Sequence, residues 1–264
     1  MVVSRRSCGR GRRGSRGPRT VLLPGVLAVG LVGVGGCGGG GGSGAADTSP
    51  TSRPATIATT VVPANPPSTV PPEFAATIAP IDPATQARMT GVSWRPGCPV
   101  PLAGLRLLHV TYWGFDGAAH TGELVVHAAW AERLVGVLRT LYEARFPIER
   151  MQLVDDYGGS DEASVLANNT SAFNCRAVTG GTGWSRHAYG LAIDIDPRQN
   201  PYVYPDGHLL DPRSEPYRDR ARQEAGMVHE GDVVHGAFAA IGWRWGGSFG
   251  DTPDPQHFDT APPG

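Results

Sequence analysis

At 264 residues the chain has the length of one moderate domain with extensions rather than two full domains. A formal net charge of −1 excludes the global basic field that nucleic-acid binding uses, and the absence of lysine excludes Schiff-base and lysine-nucleophile chemistry. The 37 glycines and 24 prolines crowd toward the amino-terminal part, so the stretch from about Pro72 onward can still bury a core.

Residues 1–37 read as an export signal. Arg5, Arg6, Arg10, Arg12, Arg13, Arg16 and Arg19 precede an apolar run from Val21 to Val34, too short and glycine-rich for a membrane span. The Arg5-Arg6 pair fits a twin-arginine signal and a generic basic start equally well. Val34-Gly35-Gly36-Cys37 closes the run and resembles the lipobox of bacterial lipoproteins, in which cleavage exposes the cysteine for lipid attachment. On that reading Cys37 anchors the protein to the cell membrane; an ordinary cleaved signal with an incidental cysteine is the alternative. Residues 38–72 are low-complexity Gly, Ser, Thr, Ala and Pro, unable to offset their ordering entropy by burial, and are expected to be a disordered tether. The folded domain is then 73–264. Its cysteines are Cys98 and Cys175, an even pair in an exported chain, which reads as one disulfide; two buried thiols are the alternative.

Within that domain Leu105 to Trp113 is aliphatic, β-branched and aromatic, and Gly122 to Val126 follows as a second expected strand. Trp130, Leu134, Val137, Leu138 and Leu141 fall at helical spacing, in a helix that Pro147 should end. Met151 to Val154 reads as another strand, and Asp232 to Ile241 as a short helix presenting Val234, Phe238 and Ile241. The mixture lacks regular strand–helix–strand repeats and a phosphate loop, so the expected class is α+β.

The chemistry concentrates in two stretches. In Ser185-Arg186-His187-Ala188-Tyr189-Gly190-Leu191-Ala192-Ile193-Asp194-Ile195-Asp196, alternation from Gly190 onward predicts a strand with Asp194 and Asp196 on the face of Gly190 and Ala192. A turn at Gly190 would fold His187 back toward Asp194, and the small residues would leave room for a metal and a substrate. The second stretch runs from Gly242 to Asp259 and supplies His257, with Asp254 shortly before it. Two histidines and one carboxylate can hold a catalytic zinc with one position open, and a nearby carboxylate that is not a ligand can take the proton from water. Spacing alone leaves a surface histidine and a turn aspartate as the blander account.

The first stretch matches at every fixed position the Ser-x-His-x-x-Gly-x-Ala-x-Asp signature of VanY-type D-alanyl-D-alanine carboxypeptidases and related cell-wall peptidases. The second resembles that family's closing motif, an acidic residue shortly before the last metal histidine, and the similarity runs from about Cys98 to Phe258. The resemblance implies one zinc ion held by His187, Asp194 and His257, with Asp254 as general base where many members carry glutamate. It implies a small, mainly antiparallel sheet flanked by helices in a single domain of the Hedgehog and DD-peptidase type. It also implies substrate binding by Arg176, whose guanidinium fork suits a carboxylate; Ser185 reads as supporting the substrate site by hydrogen bonding or, equally, as capping local backbone. The expected partner is a peptidoglycan stem peptide, cut by a monomer that is tethered to the membrane and faces the wall. Cleavage inside the stem, or wall binding without catalysis, are the competing functions.

The string Gly246-Gly247-Ser248-Phe249-Gly250 also fits a serine-hydrolase elbow, but Pro253 and Pro255 leave no helix to follow it. His109, His120, His127, His208 and His229 read as packing or surface residues. His235 is the one of the remaining histidines expected nearest the site, and Trp243, Trp245 and Phe249 read as core.

Overall fold

The computed structural model describes residues 72–250 and 252–261. The export signal, Cys37 and the tether up to Pro71 lie outside those residues. The strands are β1 (Ala76–Pro80), β2 (Leu105–Trp113), β3 (Ala119–His127), β4 (Arg150–Met151), β5 (Asn169–Thr170), β6 (Ala192–Asp194), β7 (Arg244–Trp245) and β8 (His257–Asp259). The helices are α1 (Pro83–Met89), α2 (Ala131–Glu143), α3 (Asp161–Leu166) and α4 (Val233–Ala240), with short 3-10 turns between elements. The α+β class holds, distributed over three small sheets: antiparallel β1-β2-β3, parallel β4-β5, and antiparallel β6-β8-β7. Among the described residues no helix is long and apolar enough to cross a membrane.

The β2–β3 pair is buried on both faces, and the period of two sorts its residues between two clusters. Leu108, Val110, Leu124 and Val126 join Leu134, Val137, Leu138 and Leu141 of α2, together with Val234 and Phe238 of α4. On the other face Leu105, Leu107 and Val125 pack with Met89, Val100, Phe173 and Cys175. The α2 stripe is the one its spacing predicts. The helix stops before Pro147, because Arg145 turns left-handed at φ 54° and the Phe146 N–H closes onto the Leu141 carbonyl.

Two expected strands come out shorter. The stretch expected as Met151–Val154 pairs only at Arg150–Met151 and then enters a 3-10 turn at Val154–Tyr157. The strand expected through Asp196 ends at Asp194. Asp196 adopts φ 40°, and its Oδ1 accepts from the Glu149 N–H at 2.9 Å, so its carboxyl serves the neighbouring loop.

Helix α4 forms where expected, capped by Asp232, whose Oδ1 accepts from the His235 N–H at 2.8 Å. Phe238 of α4 stacks on Phe258 of β8 at 4.1 Å between ring centroids, which fixes the strand carrying His257 to the core. Cys98 and Cys175 form the expected disulfide, closing a sequence separation of 77 residues beside the second cluster. Removing a bridge over a loop of that length should cost roughly 4–5 kcal/mol on loop-closure entropy. Thermal unfolding of the Cys98→Ser variant should therefore show a clearly lower midpoint than the oxidised protein, and equal midpoints would show that the bridge carries no stability.

Candidate active site

His187 sits on a 3-10 turn, Arg186–Tyr189, opened by Ser185, whose Oγ accepts from the His187 N–H at 3.3 Å. The turn closes at Gly190, left-handed at φ 66°, where a Cβ would stand 2.6 Å from the His127 nitrogen. Glycine is thus demanded by the turn and by contact with β3. Its smallness serves that packing instead of making room for a metal. The His127 N–H in turn donates to the Gly190 carbonyl at 2.9 Å.

Strand β6 continues from this turn with Asp194 paired to His257 of β8. On the other side of Asp194, Ser171 exchanges both backbone hydrogen bonds with it, at 2.9 and 3.1 Å. The donor atoms converge. His187 Nε2 lies 3.3 Å from Asp194 Oδ1 and 3.3 Å from His257 Nδ1, and the last two atoms are 2.9 Å apart. Tetrahedral zinc with ordinary nitrogen and oxygen ligand distances has edges of about 3.4 Å, so the three atoms are spaced as one face of such a site. Among the described residues this trio is the group of acids, histidines and cysteines that could hold a metal ion.

The surroundings keep the three facing atoms clear of partners outside the trio. His187 Nδ1 lies 2.5 Å from the Ala172 carbonyl, which can only accept, so Nδ1 carries the proton and Nε2 the lone pair. Gln256 Nε2 donates to Asp194 Oδ2 at 3.1 Å, reserving Oδ1. His257 Nε2 faces Asp259 Oδ2 at 3.7 Å, and Arg244 holds the Asp259 carboxylate through both Nε and Nη2 at 2.8–3.0 Å. Such partners orient metal-binding imidazoles and raise their basicity. Gln256 and Asp259 were not singled out from the sequence. Asp259 had a signal, since it shares the β8 face of His257 by strand periodicity, whereas Gln256 had none.

The charges explain one another. Burial opposes ionisation of Asp194, yet the two imidazoles hold its carboxyl well below the usual range. Burial likewise disfavours a charged His257, but hydrogen bonds to Asp194 and Asp259 outweigh it and raise the imidazole to about 10. Without metal the pair is an imidazolium against a carboxylate. Asp254 is pushed up to about 7 by burial and by the charge of Asp194, with His257 and Arg176 opposing. Its Oδ1 is buried with no hydrogen-bond partner. The loop that carries it is stitched to Gly246, whose carbonyl accepts from the Asp254 N–H at 2.8 Å, and a Cβ at Gly246 would collide with the Asp254 backbone.

His187, Asp194, Asp254, Gln256, His257 and Asp259 line a cavity of about 280 Å³ that also contains Arg176, Ser185, Tyr202, Tyr204 and Phe249. Arg176 is brought to the trio because the Ser185 N–H donates to its carbonyl at 3.1 Å. Ser185 lines the cavity as well as capping the turn, whereas Phe249, expected in the core, borders the cavity and meets His257 edge-on. Trp243 and Trp245 are core residues. His235 lies outside the cavity, edge-on to Trp245. Ser248 ends a 3-10 turn with its hydroxyl donating back to the Trp245 carbonyl at 2.8 Å, so it is no nucleophile elbow.

Residues 179–260 match the model of the D-alanyl-D-alanine carboxypeptidase family, a family of peptidases, which supports the VanY-type resemblance over the segment holding His187, Asp194, Asp254 and His257. No curated protein and no solved structure compared with the chain gave a match.

A metal must displace the proton of His257, whose metal-free value of about 10 lies above the ordinary 6.5. Zinc affinity should therefore rise by close to ten-fold per pH unit from about pH 7 toward that value, with one proton released. In the metal-free protein the same shift contributes stability that is complete below 6.5 and lost as pH rises through about 10. Calorimetric zinc titrations in buffers of different ionisation enthalpy measure both uptake and proton release, and a flat profile would contradict the ion pair. His187→Ala should lose the metal by elemental analysis.

Proposed function

We propose that the chain is a zinc-dependent peptidase that hydrolyses peptide bonds in peptidoglycan stem peptides, acting as a D-alanyl-D-alanine carboxypeptidase. The observation that carries this reading is the meeting, in one cleft, of a three-ligand cluster, a carboxylate outside it and an arginine. A metal that served structure alone would be ringed by ligands and would need no such carboxylate.

Zinc held by His187 Nε2, Asp194 Oδ1 and His257 Nδ1 would supply a Lewis acid for the scissile carbonyl and make water more acidic. Asp254 takes the proton from that water and delivers it to the leaving amine. Burial raises this carboxyl whether or not a cation fills the centre, which makes it a better base than an exposed aspartate and still leaves it acid enough to return the proton. Its unpartnered Oδ1 is the acceptor in waiting. The aspartate is one methylene shorter than the glutamate common in the family, and the close contact of its loop with Gly246 compensates by holding the backbone near the cluster. Arg176 presents guanidinium N–H groups to a substrate carboxylate, which in a carboxypeptidase is the free end of the stem. The export signal and Cys37 support a membrane-anchored enzyme facing the wall, with the tether giving it reach on the order of 100 Å.

Incubation of the zinc-loaded protein with a defined pentapeptide stem, followed by mass analysis with and without chelator, tests the assignment. Loss of one terminal alanine is expected, and an internal cut would replace it with an endopeptidase. Asp254→Ala should keep zinc yet lower kcat by at least about 100-fold; retained activity would overturn its role. Because the ionised base is the active form, activity should fall as pH drops through the Asp254 value. That acid limb is expected between the ordinary 3.8 and about 7, nearer the lower end once a cation is bound.

A further inference from the structure

Arg176 reaches the cleft already half engaged. Its Nη2 pairs with Asp161 Oδ2 at 2.9 Å, and its Nη1 donates to the Ala177 carbonyl at 3.2 Å. Each of these terminal nitrogens carries a second N–H that no hydrogen bond among the described residues takes up. Asp161 lines the same cavity, and apart from this ion pair its carboxylate has no side-chain partner among the described residues. The subsite therefore offers spare guanidinium N–H donors and one spare acceptor oxygen side by side. Tyr202, Tyr204 and Val178 line the same cavity and can cover an aliphatic stem.

A ligand bearing a carboxylate alone would satisfy Arg176 but would bring its negative charge against Asp161. A ligand bearing an ammonium alone would satisfy Asp161 and meet the guanidinium. A group with both charges on one carbon answers each side chain with its opposite. We propose that Arg176 and Asp161 together form a subsite for the zwitterionic head of an α-amino acid, Arg176 taking the carboxylate and Asp161 the ammonium. Asp161 is thus a specificity-determining residue, and the inference rests on the peptidase reading above. In that setting the head has two sources. One is the amino acid released from the end of the stem, which gains its ammonium when the amide is cut. The other is a diamino-diacid side chain within the stem that ends in a free amino-acid head.

Calorimetry on the full, zinc-loaded chain, carrying Asp254→Ala in the stem-peptide arm so that nothing is cut, tests the subsite without depending on hydrolysis. The first arm compares D-alanine with N-acetyl-D-alanine and D-alaninamide. The second compares a stem peptide carrying a side-chain amino-acid head with the same peptide acetylated at that amine. In at least one arm the zwitterion should bind roughly ten-fold more tightly than its acetylated form, and the arm that shows this identifies the source. Asp161→Asn should abolish that preference while keeping the preference for D-alanine over its amide, and Asp161→Glu should restore it. Thermal unfolding of both variants checks that they fold. Equal binding of free and acetylated forms in both arms, or a preference that survives in Asp161→Asn, would overturn the subsite. A preference seen in a protein that cuts no stem would instead leave the subsite standing and sink the peptidase reading.

Discussion

A buried carboxylate between two imidazoles cannot stay ionised without positive charge close by, and the arrangement of this domain follows from that requirement. Asp194 is buried, with both imidazole donor atoms within 3.3 Å of its Oδ1. Either a proton on His257 or a metal ion can balance it, and the two occupy the same small space. The side chains around the trio keep that space in order. Gln256 holds one oxygen, the Ala172 carbonyl sets one tautomer, and Asp259 with Arg244 backs the other imidazole. Each of these contacts reserves a lone pair for the centre.

The segment from Ser171 to Arg176 connects this centre to the rest of the domain. Ser171 pairs with the backbone of Asp194, Ala172 fixes the ring of His187, and the Asn174 N–H donates to the His187 carbonyl. Phe173 and Cys175 enter the second apolar cluster, and Cys175 is bridged to Cys98. Arg176 emerges from this run directly into the cleft. A short irregular stretch thus ties two members of the candidate metal trio and the cleft arginine to the core and to a covalent link. Such a stretch has few regular backbone hydrogen bonds of its own, and its neighbours supply them.

The cleft is also a study in uneven charge. Asp194, Asp254 and Asp259 gather on one side, and the like charge of Asp194 is part of what raises Asp254 toward neutrality. A cation at the centre relieves that repulsion, so metal binding and the ionisation of Asp254 favour each other. Farther along the wall Arg176 and Asp161 form an ion pair with spare hydrogen-bonding capacity. The same principle operates at both places, in that polar groups are left incompletely satisfied where a ligand can complete them.

Much of this was legible in the amino-acid order. Residue composition located β2 and β3, helical spacing located α2 and α4, and the signature around His187 and Asp194 picked out candidate ligands, because composition, local periodicity and a fixed motif are properties of neighbouring residues. The pairing of Cys98 with Cys175 was legible because so few cysteines remained. What the order could not supply were contacts between distant segments. The roles of Gln256, Ala172 and Asp161 depend on β8, Ser171–Arg176 and α3 being folded against β6 and the cleft. The left-handed turn at Asp196 ended a strand that alternation alone would have continued. Sequence by itself determined which side chains could do the chemistry; only the tertiary structure decided which of their lone pairs and charges face one another, because that is set by packing between segments and not by spacing along the chain.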